Sequence, residues 1–374
     1  MASPFIFGRL AEGSSFANRK NELQRISGNL RNKIHTVVMG PRRIGKTSLI
    51  RKITAEYSGL SYYRFCYIDA FRVQDEEGFY SYFAAEVIKA CAGNMEEAIE
   101  FSRQFMAKSS SKLALSLTQS RDYNLAVMND EDISDDALNL GNEIARKKNF
   151  ILIVCIDNFQ NIERFENNLS FQKKLKTYIE GQDKTVYCIC GTKTSFLYDA
   201  LTNPVMPLYQ FGDLIMLDRI AQDELAPFIM NRFAENGKTC ALQFAEKICQ
   251  AMNCHPYYTQ QLAHLVYTSS EGKVDDPLVL RCVDELIERN LIPFQKEYEN
   301  LSVLQANFIR LLLDGVEDGF TTRPVIDKYR LSSSAAVIRV IDSLVKKEII
   351  EKRNGKYVFV DPAFYLWLNR FVKA

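Results

Sequence analysis

The feature that most constrains this chain is an eight-residue loop, Gly40-Pro41-Arg42-Arg43-Ile44-Gly45-Lys46-Thr47, which fits G-x-x-x-x-G-K-[ST] at every position. An apolar run at residues 35–40 precedes the loop and predicts a strand. The residues after Gly45 predict a helix, with Ser48 in its first turn. A strand, a glycine-containing turn and a helix in this order form a local structure that binds phosphate. The alternative is a chance match in an ordinary strand–turn–helix.

The residue types in the loop have physical reasons. Gly40 and Gly45 allow the backbone to curl, so that successive N–H groups point inward at a helix N-terminus and attract an anion. Lys46 offers a positive charge to the β- and γ-phosphates, and the Thr47 hydroxyl offers a ligand to Mg²⁺. We therefore expect residues 40–48 to bind ATP or ADP together with Mg²⁺.

The rest of the N-terminal part alternates strand-like and helical runs, which predicts an α/β domain with a parallel sheet. The run at residues 150–159 is almost continuously apolar, as in strands buried on both faces. The predicted strands lie at residues 35–40, 62–71, 150–159, 185–191 and 212–220. A segment at about residues 93–148 interrupts this alternation, and its pieces KLALSLT and YNLAVM predict a hairpin insertion.

The C-terminal part changes character twice. Residues 221–300 are helical throughout, which we interpret as a helical lid. Residues 301–374 predict three helices followed by a hairpin with an Asn354-Gly355 turn, the pattern of a winged helix. The three serines at residues 332–334 predict an N-cap for the third of these helices. We therefore predict three domains: a nucleotide-binding domain at 1–220, the lid at 221–300 and the winged helix at 301–374.

A P-loop needs an acidic group at the end of a neighbouring buried strand to hold Mg²⁺, and Asp157 is in that position. The alternative is a strand-end Asp that caps the next turn. Many P-loop ATPases carry a Glu directly after this Asp as the base that activates water. Here the residue is Asn158, which can orient a water molecule but cannot take its proton. We expect nucleotide binding to be retained and ATP hydrolysis to be slow.

Thr192 follows the strand predicted at residues 185–191, and Lys193 comes directly after it. Its hydroxyl could sense the terminal phosphate, or the residue could simply belong to a strand-to-helix turn. Gln160 and Glu163 lie near Asn158 in sequence, but neither is a clear replacement for the missing base.

Composition excludes several other classes. The chain is 47% hydrophobic with a net charge of +1, so we expect a folded protein with no global field that attracts nucleic acid or membranes. The N-terminus lacks the pattern of a signal peptide, and no apolar run is long enough to span a membrane. Nine cysteines without C-x-x-C spacing suggest reduced, buried thiols rather than zinc ligands or disulfides. These features together predict a cytoplasmic protein.

Several motifs in one order carry a family resemblance. They are Phe16-Ala17-Asn18-Arg19 with Glu22-Leu23, then GPRRIGKTSL, IDNFQ, CGTK, CHPYYTQQL and the terminal winged helix. Together they resemble STAND-type archaeal and bacterial P-loop ATPases of the AAA+ superfamily, most closely the compact bacterial members.

The resemblance implies roles for residues outside the P-loop. The motif with Phe16 and Arg19 would lie against the adenine side of the nucleotide, although Asn18 stands where Gly is usual. Pro256 would pack on the base, and the preceding His255 would either reach the phosphates or bond locally at a helix start. Oligomeric relatives use an arginine from a neighbouring subunit, for which Arg43, Arg219 and Arg232 are candidates by location.

Three functions remain open. The first is a nucleotide-dependent switch in which the winged helix relays the nucleotide state to an unidentified protein partner. The second is a DNA-associated ATPase that contacts duplex DNA through the wing at residues 352–356. The third is a scaffold that keeps ADP as a structural ligand. The C-terminal segment has only a small positive excess, so we favour the switch. The aromatic segment at residues 361–368 either packs the last helix or docks a partner.

Overall fold

The structure is a computed structural model that describes residues 3–109, 112–117, 123–128, 133–192 and 195–373. The chain forms two compact units. The sheet unit comprises Arg19–Arg42 and Lys46–Leu217, and the C-terminal unit comprises Met1–Asn18, Arg43–Gly45 and Asp218–Ala374. The predicted domain boundaries at residues 220 and 300 stay predictions.

The strands, in chain order, are β1 (Thr36–Gly40), β2 (Tyr63–Asp69), β3 (Lys112–Leu117), β4 (Tyr123–Met128), β5 (Ile151–Asp157), β6 (Thr185–Thr192), β7 (Asp213–Met216), β8 (Ile350–Arg353) and β9 (Lys356–Phe359). Five of them form one sheet in the order β2-β5-β6-β1-β7, and every pairing in it is parallel. The predicted α/β fold with a parallel sheet is confirmed.

The central strands are hydrophobic because helices cover both of their faces. All residues of β1 and β6 are buried, as are residues 151–156 of β5. In a parallel sheet the carboxyl ends of neighbouring strands lie at one edge, where ligands usually bind. Here that edge carries Gly40, Asp157 and Thr192 at the ends of β1, β5 and β6.

The helices of the sheet unit are α1 (Lys20–Arg31), α2 (Lys46–Tyr57), α3 (Glu76–Cys91), α4 (Met95–Ser109), α5 (Ser134–Lys148), α6 (Asn168–Glu180) and α7 (Ser195–Thr202). Between α4 and α5, strands β3 and β4 pair antiparallel, so the predicted hairpin in the insertion is present. Residues 118–122, between the two strands, lie outside the described residues.

The C-terminal unit is mainly helical. Its helices are α8 (Gln222–Glu235), α9 (Leu242–Ala251), α10 (Pro256–Ser269), α11 (Asp276–Arg289), α12 (Leu291–Glu299), α13 (Val303–Leu313), α14 (Arg323–Tyr329), α15 (Ser334–Lys346) and α16 (Pro362–Phe371). Helices α13 to α15 are followed by the antiparallel pair β8–β9 with Asn354-Gly355 at its turn, which confirms the predicted winged helix.

Local sequence explains where the winged-helix elements begin. Ser302 and Gln305 form a reciprocal capping box at the start of α13. Ser333 caps α15 by accepting a hydrogen bond from the backbone N–H of Ala336, as the serine run predicted. In α16, Trp367 is buried and stacks on Phe364 with ring centroids 5.8 Å apart, so this part of the aromatic segment packs the last helix.

None of the helices in the described part of the chain is long and apolar enough to cross a membrane.

Candidate nucleotide site

The phosphate loop connects the end of β1 to the start of α2. Gly45 has a φ of +99°, a conformation that side chains disfavour, and α2 begins at the next residue. Gly40, Pro41 and Arg42 lie in the sheet unit, whereas residues 43–45 belong to the C-terminal unit, in which Ile44 is buried. Ser48 is buried in the first turn of α2. The loop therefore ends at the N-terminus of α2, and the N-terminus of a helix favours an anion.

Lys46 folds back over its own loop. Its Nζ donates hydrogen bonds to the carbonyl oxygens of Gly40, at 3.0 Å, and of Pro41, at 2.8 Å. These bonds hold the ammonium group against the loop rather than in bulk solvent. Phosphate oxygens would bind the same three donors of Lys46 more strongly, because hydrogen bonds between two charged groups exceed those to a neutral carbonyl.

Thr47 and Asp157 meet at the carboxyl edge of the sheet. The Thr47 Oγ1 donates to Asp157 Oδ2 at 2.6 Å, although the two residues lie 110 positions apart in the chain. Hydroxyl and carboxylate oxygens are the ligands that Mg²⁺ prefers, and Mg²⁺ usually takes only one or two of them from the protein. The donor set therefore fits a Mg²⁺ ion shared with a nucleotide phosphate.

Asn158 adopts a left-handed conformation with a φ of 55°, which Asn tolerates better than most residues. Its backbone N–H donates to Asp157 Oδ1 at 2.8 Å, which helps to orient that carboxylate. Its side-chain Nδ2 donates to Asp69 Oδ1 at 2.9 Å. Sequence reasoning did not identify Asp69. The signal was present, because β2 and β5 both end in Ile-Asp, at residues 68–69 and 156–157.

Thr192 is buried at the end of β6 and pairs in register with Gly40, the first residue of the loop. Its backbone N–H donates to Gln160 Oε1 at 3.1 Å, which gives Gln160 a structural partner that its sequence position did not reveal. Gly191 permits this approach, since a Cβ there would lie 2.2 Å from Leu197 Cδ2 and 3.0 Å from Gln160 Oε1. Lys193 lies outside the described residues.

A cavity of about 300 Å³ opens beside these residues within the sheet unit. Thr47, Asp69 and Asp157 line it, together with Arg51, Tyr67 and Glu86. The guanidinium carbon of Arg51 lies 3.6 Å from the Tyr67 ring centroid, a cation–π contact. Burial raises the pKa of Tyr67 to about 12, so its hydroxyl stays protonated at neutral pH.

Arg43, at a variable position of the loop motif, has its partners in the C-terminal unit. It donates to the Tyr258 hydroxyl at 2.9 Å, and its guanidinium carbon lies 4.8 Å from the Tyr257 ring centroid. The Tyr258 hydroxyl in turn donates to the Asp361 carboxylate. Burial raises the pKa of both Asp361 and Tyr258. The sequence offered no local signal for this cluster, because its members lie 215 and 103 positions apart.

The residues assigned by family resemblance are distributed over both units. Phe16 and Pro256 belong to the C-terminal unit, where Pro256 is the buried first residue of α10. Arg19 belongs to the sheet unit, is buried, and pairs with Glu22 at 3.0 Å. His255 precedes α10 and is also buried. Their contacts with adenine or phosphate stay predictions.

The other two arginine candidates also have partners within the C-terminal unit. Arg219 donates to the carbonyl oxygens of Asn253, at 3.0 Å, and of Phe359, at 3.4 Å. Arg232 pairs with Glu235 in the next turn of α8. Each of the three candidate arginines thus has a partner within the C-terminal unit, and a role in a neighbouring subunit stays a prediction.

Comparison with known proteins identifies two domains in the chain. The family model of an ATPase domain predominantly from Archaea matches residues 16–262, and the model of a probable winged helix domain matches residues 292–370. No curated protein sequence matches the chain.

Two solved structures match nearly the whole chain. A Walker-type ATPase of Pyrococcus abyssi superposes with a TM-score of 0.68 at 16% identity, covering 98% of this chain and 99% of that one. The ORC2 protein of Aeropyrum pernix, solved in ADPNP–ADP complexes, gives a TM-score of 0.60 at 13% identity, covering 99% and 97%. At such identities the likeness concerns the fold.

Proposed function

The chain belongs to the family of ATPase domains found predominantly in Archaea, and on this premise we propose that it binds ATP and ADP with Mg²⁺ and hydrolyses ATP slowly. The observation that carries the proposal is the pairing of Thr47 with Asp157 directly beside Lys46 on a glycine-containing loop. We further propose that the protein acts as a nucleotide-dependent switch of the STAND type.

The residues have distinct tasks in this proposal. The N–H groups at the start of α2 and the Lys46 ammonium would bind the phosphates, while Thr47 and Asp157 would hold Mg²⁺. When bound, Mg²⁺ neutralises phosphate charge that would otherwise repel a nucleophile. Thr192, next to Gly40 in the sheet, would contact the terminal phosphate.

We expect slow hydrolysis because position 158, directly after Asp157, carries no carboxylate, so any base has to act from elsewhere in the site. An amide cannot accept the proton of the attacking water, and general-base catalysis contributes about 10²- to 10⁴-fold to a rate. The Asn158 amide is moreover engaged with Asp69. A nucleotide that persists in its triphosphate form suits a switch better than a motor.

The switch needs contacts that differ between nucleotide states, since a ligand shifts an equilibrium only by its differential affinity. Arg43 supports this role, because it belongs to the phosphate loop and yet bonds Tyr258 of α10. Tyr258 in turn bonds Asp361, which caps α16 of the winged helix. A phosphate that reshapes the loop would act on these bonds.

DNA binding through the wing is the weaker alternative. Two of its cations are already paired with carboxylates: Arg353 bonds Asp218 and Glu351, and Lys356 bonds Glu317. The exposed face of α15 carries Arg339 and Lys346 but also Asp342 and Ile338. The DNA alternative predicts that the protein binds duplex DNA with a steep salt dependence. If no duplex binding is detected at low salt, this alternative is removed.

Metal removal tests the nucleotide site directly. We expect calorimetric titration of the protein to detect ATP and ADP binding with Mg²⁺, and at least tenfold weaker ATP binding with EDTA, because the phosphate charge is then less neutralised. No binding of either nucleotide with Mg²⁺ would contradict the proposal. ADP that remains bound through dialysis, with no exchange for ATP, would favour a structural ADP scaffold instead.

A further inference from the structure

Strands β2 and β5 are parallel neighbours, and each ends in an aspartate. Asp69 and Asp157 are register partners at the last pair of this ladder. Register partners in neighbouring parallel strands lie about 5 Å apart and direct their side chains to the same face of the sheet. Only one of these carboxylates, Asp157, bonds Thr47. The second carboxylate has no role in the function proposed above.

The hydrogen bonds of Asp69 leave one of its oxygens available. Its Oδ1 accepts from the Asn158 side chain at 2.9 Å and from the Phe71 backbone N–H at 3.1 Å. Its Oδ2 lies 3.9 Å from the Arg72 Nε, which is beyond hydrogen-bond distance. The side chain is 39% exposed, so water can reach this oxygen.

Asp69 also shares a space with the proposed metal ligands. Thr47, Asp69 and Asp157 all line the cavity of about 300 Å³, which is large enough to hold water and offers these oxygen atoms as its hydrogen-bond partners. The hydrogen bond from Asn158 Nδ2 to Asp69 leaves Asn158 Oδ1 as a hydrogen-bond acceptor. A carboxylate and an amide oxygen are thus held together beside the proposed phosphate site.

We propose that Asp69 is the catalytic base of this chain and that Asn158 is a positioning residue beside it. The inference rests on the ATP hydrolysis proposed above and names the group that performs it. A water oxygen bonds to the γ-phosphorus while the bond from that phosphorus to the β–γ bridging oxygen breaks, and its electron pair stays on ADP. The proton that the water loses goes to Asp69 Oδ2 and from there to solvent.

The other polar groups nearby are less suited to this role. Glu86 lines the same cavity, but its carboxylate pairs with Lys89 at 2.7 Å. Gln160 cannot accept a proton, and its Oε1 already binds the Thr192 backbone. Asp157 has both carboxylate oxygens engaged, one by Thr47 and one by the backbone of Asn158.

The test measures single-turnover ATP hydrolysis and nucleotide affinity together in the full chain. For Asp69→Asn we expect a rate at least about 100-fold lower, the usual loss when a general base is removed, with ATP and ADP affinities within about threefold of wild type. Asp69→Glu should keep part of the rate. Glu86→Gln, which removes a carboxylate from the same cavity, should hydrolyse ATP like wild type.

A double variant separates catalysis from structure. Asp69→Asn combined with Asn158→Glu keeps one amide and one carboxylate in the pair but moves the carboxylate to position 158. We expect this variant to recover most of the rate lost in Asp69→Asn, because a carboxylate again faces the water. A purely structural Asp69 would not be rescued in this way.

Three results would overturn the inference. They are an unchanged rate in Asp69→Asn, a rate that falls only together with nucleotide affinity, and a double variant that stays as slow as Asp69→Asn. The proposed function itself fails differently, because the wild type would then neither bind nor hydrolyse ATP before any residue is changed.

Discussion

The phosphate loop makes two sets of contacts that differ in kind. The residues fixed by the motif, Lys46 and Thr47, bond the loop carbonyls and Asp157, all within the sheet unit. Arg43, at a position that the motif leaves open, bonds Tyr258 within the C-terminal unit. The fixed positions therefore indicate the chemistry shared by P-loop proteins. The open position carries a contact that the motif itself does not require.

Removing the Lys46 charge should have the largest effect on the first set. We expect Lys46→Ala to weaken ATP and ADP binding at least about 100-fold, because roughly 3 kcal/mol of charged hydrogen bonds to phosphate is lost. Calorimetric titration with Mg²⁺ measures this change. Lys52→Ala, which removes a lysine from the same helix that pairs with Glu56, is the matched control and should bind like wild type. If Lys46→Ala binds ATP and ADP as tightly as Lys52→Ala does, Lys46 does not hold the phosphates.

Removing the Tyr258 hydroxyl should weaken the contacts of Arg43 in the C-terminal unit. It should leave the contacts of Lys46 and Thr47 in the sheet unit almost unchanged. Tyr258→Phe deprives Arg43 and the half-buried Asp361 of a shared partner, at a cost of about 1–3 kcal/mol in unfolding free energy. Urea unfolding followed by fluorescence measures this cost, because the single tryptophan, Trp367, is buried in the C-terminal unit.

Tyr257→Phe is the control for this variant, because it keeps the aromatic face against which Arg43 lies. For Tyr258→Phe we also expect nucleotide affinity within about tenfold of wild type and a smaller ATP-induced change in Trp367 fluorescence. A loss of binding as large as that of Lys46→Ala would show that the two sets of contacts are not separate.

The smallest expected effect is a pH dependence of the free energy of unfolding, which arises from Asp361 and its contacts with Arg43 and Tyr258. Burial raises the pKa of Asp361 above its ordinary value of 3.8, with Arg43 and Tyr258 as its charged and titratable neighbours. The folded form therefore binds the proton at a higher pH than the unfolded form. The resulting stabilisation is complete below the unfolded pKa and is lost as the pH rises through the folded one.

Asp361→Asn tests this dependence without removing the helix cap, because Asn caps helices about as well as Asp. We expect the wild type to lose stability from about pH 4 upward relative to the variant, in urea unfolding monitored by Trp367 fluorescence. Parallel pH profiles for the two proteins would contradict the expected linkage.

The same contrast separates what the sequence could predict from what it could not. The loop, Asp157 at the end of a buried strand, the Ser333 cap and the Asn354-Gly355 turn are local patterns, and each lies where it was predicted. Local sequence carries such features because neighbouring residues determine the backbone there. The second strand was predicted at residues 62–71 and extends over Tyr63–Asp69, because residues 70–72 form a short 3₁₀-helix.

The missed contacts all depend on tertiary structure. Asp69 meets Asn158 across 89 positions, and Arg43 meets Tyr258 across 215, so no local pattern could connect them. For Asp69, strand order was the missing information. Once β2 is known to pair with β5, the two Ile-Asp strand ends place a second carboxylate beside Asp157.

Single-turnover ATP hydrolysis with Mg²⁺ in wild type, Asn158→Glu and Lys46→Ala tests the proposed slow ATPase most directly. We expect a slow wild type, a faster Asn158→Glu because a carboxylate then follows Asp157, and no hydrolysis in Lys46→Ala. A wild type that turns over briskly and changes little with Asn158→Glu would contradict a catalytic step held back at position 158. The protein would then act as an ordinary ATPase rather than a slow switch.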